Sequence, residues 1–217
     1  AFDAALALDH QRPGWNGFNV LHMAASRMGS LMLGYARPGG ITDIAAAAPT
    51  VVLGLGADEM DWSLFGGLKV YIGHHGDKGA HAADIILPAA AYSEKDGTYV
   101  NTEGRVQFAE RAVFPPGDAR EDWTILRALA DALGVSVGFD SFAQLQSAMI
   151  AEVAALGEEG IVSLGALPKP GETRADGRIA SYPIQDFYLT NPIARASVVM
   201  QECSAELVHG QVLEAAE

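Results

Sequence analysis

Two short stretches hold most of the residues whose types and spacing could do chemistry. In Gly73-His-His-Gly-Asp-Lys-Gly79 a glycine recurs every third residue directly after an apolar run. Successive backbone N–H groups there could form a nest for an anion, with Lys78 adding charge. The same glycines would equally serve a tight strand-to-loop turn packed against neighbouring chain. No Gly-Lys-Ser or Gly-Lys-Thr is present, and the order Gly-x-Gly-x-x-Gly is missing, so neither a P-loop nor a dinucleotide fingerprint is at hand. His74, His75 and His81, with Asp77 and Asp84, offer nitrogen and oxygen donors to a metal. Adjacent histidines on an extended segment point to opposite sides, so hydrogen-bonding or interface histidines are the better expectation.

The second stretch follows the strand-like Thr98-Tyr-Val100. Asn101, Thr102, Arg105 and Gln107 place amides and a guanidinium together, which suits planar hydrogen-bonding recognition of either a pterin-like ligand or the protein's own backbone. Glu94, Asp96, Glu103 and Glu110, with Lys95 between them, could in principle do general acid or base work. There is no Ser-His-Asp pattern, no Gly-x-Ser-x-Gly elbow and no cysteine beside a base, and a solvated or salt-bridged loop accounts for these charges.

The elements that must position these groups follow from hydrophobic period and breakers. Trp15 to Gly29 spaces Val20, Leu21, Met23, Ala24 and Met28 as a buried helix, with Asn16 or Asn19 to cap it. Val51 to Leu55, ended by Gly56, reads as a strand buried on both faces. Leu68 to Gly73 reads as the next strand, and Asp84 to Leu87, closed by Pro88, as a third. A helix through Trp123 to Leu133, capped by Asp118 or Asp122, puts Trp123, Leu126, Ala130 and Leu133 on one face and ends at Gly134. Ser141 to Leu156 repeats the pattern with Phe142, Leu145, Met149 and Val153. Strands followed by helices, with glycine-rich strand ends, predict an α/β layered domain over 1–163. Residues 164–185 turn to Pro, Gly and charge and read as a linker, and 186–217 as a helical tail. The tail's helix presents Ile193, Ala196, Met200 and Cys203 on one side, and could dock on its own domain or on a partner.

Composition narrows the function classes. A net charge of −13 opposes binding to nucleic acid. The single cysteine excludes an internal disulfide and any Cys-rich zinc or iron–sulfur site made by this chain alone. The apolar runs are too short to span a bilayer. The chain starts at Ala1 with neither an initiator Met nor a signal-peptide pattern, so it is expected to be cut from something longer.

Ala83-Asp-Ile-Ile-Leu-Pro88, Tyr92-Ser-Glu-Lys-Asp-Gly-Thr-Tyr-Val-Asn-Thr-Glu-Gly-Arg-Val-Gln107 and Pro115-Pro-Gly-Asp-Ala-Arg-Glu-Asp-Trp123 resemble the molybdopterin oxidoreductase superfamily. Trp15-Asn-Gly-Phe-Asn-Val-Leu-His22, Gly73 to Gly79 and Asp186-Phe-Tyr-Leu-Thr-Asn-Pro-Ile-Ala-Arg-Ala-Ser197 are similar to one branch of it, the large iron–sulfur subunits of NADH-quinone oxidoreductase, respiratory complex I. The resemblance implies a partial Rossmann-like layered domain of the molybdopterin oxidoreductase type with a C-terminal linker and helix. It implies a scaffold in the peripheral arm, with no catalytic residue, metal or cofactor of its own and with iron–sulfur clusters in the remainder of the parent subunit. The implied partners are other peripheral-arm subunits, on the cytoplasmic face of a bacterial inner membrane or the matrix side in a mitochondrion. The alternative is a component of a molybdopterin-dependent enzyme such as a formate dehydrogenase, with Gly76, Asn101, Glu103 and Arg105 beside a pterin dinucleotide. Against that, the chain shows no metal-ligating Cys, Ser or selenocysteine motif upstream of these segments and has no room for the usual C-terminal cofactor-binding barrel.

Overall fold

The computed structural model describes residues 11–12, 15–16, 19–22, 24, 27–36, 38–161 and 184–210. The chain divides into two units. The first takes in residues 1–36, 96–109 and 139–181, and the second takes in 37–95, 110–138 and 182–217. The expected linker falls almost wholly outside the described residues.

In the first unit β1 (Gln11–Arg12) and β2 (Trp15–Asn16) pair antiparallel, and α1 spans Arg27–Met32. The expected helix over 15–29 is therefore overturned. Residues 19–22 are not helical, and Leu21 is 85% exposed. Trp15-Asn-Gly-Phe-Asn is rich in turn formers that compete with a helix, and they outweigh a sparse apolar stripe.

The second unit begins with α2 (Gly40–Ala46) and a parallel sheet of β3 (Val51–Leu55), β4 (Leu68–Gly73) and β5 (Ile85–Pro88), with β4 in the centre. Leu53 pairs with Val70 and Gly54 with Tyr71, while Tyr71 also pairs with Ile86. One face of the sheet is packed by a short 3₁₀ turn, Trp62–Leu64, and by α3 (Lys78–Ala82). Trp62 lies across Gly54, where any Cβ would overlap its ring, and meets Tyr71 edge-on with ring centroids 6.4 Å apart. The core consists of Trp62, Phe65, Val70, Tyr71, Ile72, Ala89, Ala90 and Ala119. The strand at 51–55 forms as expected but is not buried on both faces. Among the described residues it is an edge strand, and Val51, Leu53 and Leu55 are exposed.

Between the two units' segments the chain makes a hairpin of the first unit, β6 (Gly97–Val100) with β7 (Val106–Ala109). Back in the second unit, α4 spans Asp122–Ala132 and closes at Gly134, whose φ of 73° only glycine adopts cheaply. Its N-cap is neither Asp118 nor Asp122 but Glu121, which makes no side-chain cap. The Glu121 carboxylate instead accepts from Trp123 Nε1 at 2.8 Å and from Arg111 at 3.2 Å. Leu133, expected on the packed face, is exposed. In the first unit α5 (Phe142–Glu152) is capped by Ser141, and Val100, Val106 and Leu156 form a core against Met28, Met32, Met149 and Val153.

The tail's single helix is broken in two. Asn191 caps α6 (Pro192–Ala196), and Ser197 ends it and caps α7 (Val198–Cys203) through the Met200 N–H. A Ser with an extended backbone satisfies the free N–H groups of a new helix start, which is why the break costs little. The tail belongs to the second unit, which answers where it docks.

Candidate functional site

The 73–79 segment lies where an open α/β sheet offers its crevice, past the carboxyl end of its central strand. Beneath it Asp58, 1% exposed, receives the Tyr71 hydroxyl on Oδ2 at 2.7 Å and the Gly79 N–H on Oδ1 at 3.1 Å. Burial, then the bond to Asp58, raise the Tyr71 pKa well above that of an ordinary phenol, so the hydroxyl remains a donor. A Cβ on Gly79 would sit 2.5 Å from the Tyr71 ring, and one on Gly73 would overlap that ring. Gly76 has open space around it. None of the three glycines takes a positive φ, so the alternation of right- and left-handed residues that makes an anion nest is missing. Two of the three are glycine because Tyr71 occupies the room a side chain would need.

The histidines and aspartates are dispersed among separate tasks. Asp84 accepts from the Lys69 N–H at 2.8 Å, and His81 Nδ1 meets the Asp77 carbonyl oxygen at 2.9 Å. The Asp77 carboxylate is held by Arg195 Nε at 2.6 Å. Among the described residues no three His, Cys, Asp or Glu side chains converge as metal ligands. His74 and His75 do meet, with their Nδ1 atoms 2.5 Å apart and rings near perpendicular at 88°. Only one hydrogen fits between two ring nitrogens at that distance, so at least one ring is neutral. Desolvation, then the neighbouring His75 and Lys95, lower the His74 pKa. Both rings line a cavity of about 380 Å³ with Pro88, Glu94 and Asp118.

Arg195 is a further organising group. Its fork reaches Asp77 and also Glu59 at 2.8 Å, while Nη1 donates to the Leu189 carbonyl at 3.1 Å. Asp77 lies 118 residues away in sequence and Glu59 136. This contact ties the tail to the glycine segment. Sequence reasoning missed Asp58, Glu59, Tyr71 and Arg195. The available signal was an acidic pair, Asp58-Glu59, just after a strand-ending glycine.

In the first unit Asn101, Glu103 and Arg105 are brought together by the hairpin loop. Asn101 Oδ1 accepts the N–H groups of Glu103 and Arg105 at 3.0 and 2.9 Å, and the Asn101 N–H donates to the Arg105 carbonyl at 3.1 Å. Arg105 Nη1 donates to the Gly160 carbonyl at 2.5 Å. Gly76, which the resemblance groups with these three, belongs to the other unit.

Residues 3–132 match the family model described as molybdopterin oxidoreductase. The chain belongs to that family. Residues 158–203 of this family member match a second model, described as the C-terminal region of an NADH-ubiquinone oxidoreductase subunit. Over 203 residues it is 45% identical to the mitochondrial NADH-ubiquinone oxidoreductase 78 kDa subunit of Neurospora crassa, covering 88% of this chain and 27% of that protein. The 75 kDa subunit of Reclinomonas americana is 40% identical over 202 residues, covering 88% and 29% respectively. The 78 kDa subunit of Candida albicans is 39% identical over 207 residues, covering 87% and 28%. The chain thus spans less than a third of the length of the curated relatives it matches.

Two expectations follow from the site. Replacing Arg195 by Ala should lower the stability of the second unit by about 1–2 kcal/mol, above the value of an exposed ion pair because Arg195 and Asp77 are each less than one-fifth exposed. Arg195→Lys should recover little, since a single ammonium cannot reproduce the fork; urea unfolding of the three proteins checks both. A His whose folded pKa lies below its unfolded value, ordinarily 6.5, takes up a proton more readily when unfolded. Its contribution is therefore full above the unfolded pKa and is lost as pH falls through the folded one. Melting temperatures should show an acid-side loss that His74→Asn diminishes.

Proposed function

We propose that this chain is a scaffold portion of the peripheral arm of an NADH:quinone oxidoreductase. Its parent subunit passes electrons from NADH through iron–sulfur clusters toward quinone, and this portion orders structure around that path without handling electrons itself. The observation that carries the reading is the tail. The segment matching the NADH-ubiquinone oxidoreductase model contains Arg195, and Arg195 is the group that clamps the tail onto Asp77 and Glu59. The segment that matches that model is thereby tied to the segment that looks most like a ligand loop.

The pterin dinucleotide implied by the wider family does not fit the residues present. The Asn101 Oδ1 is taken up by the loop's own N–H groups, one Arg105 donor by the Gly160 carbonyl, and the room beside Gly73 and Gly79 by Tyr71. With one cysteine in the chain, any cluster belongs to the rest of the parent. The named relatives support membership in the complex, and none supports the formate dehydrogenase alternative. Partners are other peripheral-arm subunits, and the location is peripheral, on the cytoplasmic side of a bacterial membrane or the matrix side of a mitochondrial one. No helix among the described residues is long and apolar enough to cross a membrane.

The test is metal analysis and fluorescence of released pterin on the full-length polypeptide purified with its complex. The expected result is iron without stoichiometric molybdenum or tungsten, together with co-purifying NADH-oxidising subunits. Near-stoichiometric molybdenum or tungsten with a released pterin would overturn the reading.

A further inference from the structure

Tyr71 and Trp62 are 1% and 4% exposed, and a phenol and an indole are both side chains that a one-electron oxidant can oxidise. Their rings meet edge-on with centroids 6.4 Å apart, close enough for an electron to pass directly between them. Gly54, which pairs with Tyr71 in the sheet, permits the approach, since a Cβ there would overlap the indole. What distinguishes the two rings is the group that faces the acidic hydrogen of each. The Trp62 Nε1–H donates to the Ala57 carbonyl at 3.1 Å, while the Tyr71 hydroxyl donates to the Asp58 carboxylate at 2.7 Å.

That difference sets a direction. An indole or a phenol that has lost an electron becomes a much stronger acid and is stabilised when a base takes its proton. An amide carbonyl oxygen is too weak a base for this, so an oxidised Trp62 retains its hydrogen and remains a strong oxidant. Asp58 Oδ2 is a carboxylate oxygen within proton-transfer reach of the phenol. Its companion Oδ1 accepts the Gly79 N–H at 3.1 Å, which keeps the carboxyl group in place to hold the proton and to return it. Trp62 also lines a cavity of about 420 Å³ with Met60, Asp61 and Lys78, which brings a small solute to the indole.

We propose that Trp62, Tyr71 and Asp58 form a sink for oxidising equivalents, in which a hole created on Trp62 by a small one-electron radical oxidant moves to Tyr71. In the first step the oxidant takes one electron from the indole and leaves an indole radical cation. In the second, one electron passes from Tyr71 to Trp62 while the hydroxyl proton passes to Asp58 Oδ2. The phenolic O–H bond breaks, an O–H bond forms on the carboxyl group, and the indole is restored. A neutral phenoxyl radical then stands beside a neutral carboxylic acid. A one-electron reductant such as ascorbate reverses the state, its electron going to the phenoxyl oxygen and the proton returning from Asp58. The sink is separate from any electron path of the parent subunit, so the inference holds whichever oxidoreductase the parent serves.

Pulse radiolysis of the 217-residue chain with azide radical, which oxidises indoles, tests it. The indole radical absorbance should decay in a first-order phase, independent of protein concentration, as phenoxyl absorbance grows. Time-resolved infrared spectra should show a carboxylic-acid carbonyl band appearing with the same time constant, and the phase should slow in heavy water. The chain holds three tryptophans and six tyrosines, so variants assign the pair. Tyr71→Phe and Trp62→Phe should each abolish this phase and its carboxylic-acid band, whereas Tyr92→Phe, at an exposed ring of the same unit, should leave both. Asp58→Asn should leave the hole on the indole. A phase that persists in Tyr71→Phe would overturn the proposal. So would a phenoxyl signal in the wild-type chain without a carboxylic-acid band or an isotope effect, a result that decides the matter even where a variant fails to fold.

Discussion

Asp58 is a carboxylate withdrawn almost completely from water, and a charge so placed must be matched or it destabilises the fold. Its two oxygens are matched by groups from different elements, the Tyr71 hydroxyl on the central strand and the Gly79 N–H in the helix that follows. The Tyr71 ring fixed in this way fills the space over Gly73 and Gly79 and meets Trp62 edge-on. The same contact accounts for glycine at the end of the strand and in the helix that follows, and for the edge-on seating of Trp62. Charge-assisted hydrogen bonds of this kind are the stronger members of their class.

The outer ring of the same arrangement is ionic. Arg195 brings the tail to Asp77 and Glu59, so that the segment matching the NADH-ubiquinone oxidoreductase model is tied to the segment matching the molybdopterin oxidoreductase model. Of the groups that suggest ligand recognition, the Asn101 Oδ1, one Arg105 donor and the space beside Gly73 and Gly79 are committed to the chain itself. That is the physical content of the scaffold proposal.

Much of the fold was legible because it is local. Alternation and β-branching mark Leu68 to Gly73 and Thr98 to Val100, helical period marks Trp123 to Leu133, and Gly134 marks its stop. The hairpin partner Val106–Ala109 carries the same alternation but was hidden among amides. Burial of β3 was not legible, because an aliphatic strand reads alike in the middle of a sheet and at its edge. The Trp15 stretch misled because a few apolar residues at helical spacing weigh less than Asn-Gly beside them. In the candidate site Asn101 and Arg105 were grouped, with Thr102 and Gln107, from type and spacing, and Glu103 joined them through the family resemblance. Asp58 and Arg195 were not found, since nothing in a carboxylate's local sequence names a partner on another strand or more than a hundred residues away.

The central claim, that the glycine segment is held by a buried bond of the protein to itself, is measured most directly by a double-mutant cycle. Asp58→Asn, Tyr71→Phe and the double variant of the 217-residue chain would be unfolded in urea. A coupling of about 1.5–3 kcal/mol between the two positions is predicted, the range for a hydrogen bond to a charged group. Losses that add to within about 0.5 kcal/mol would contradict the account.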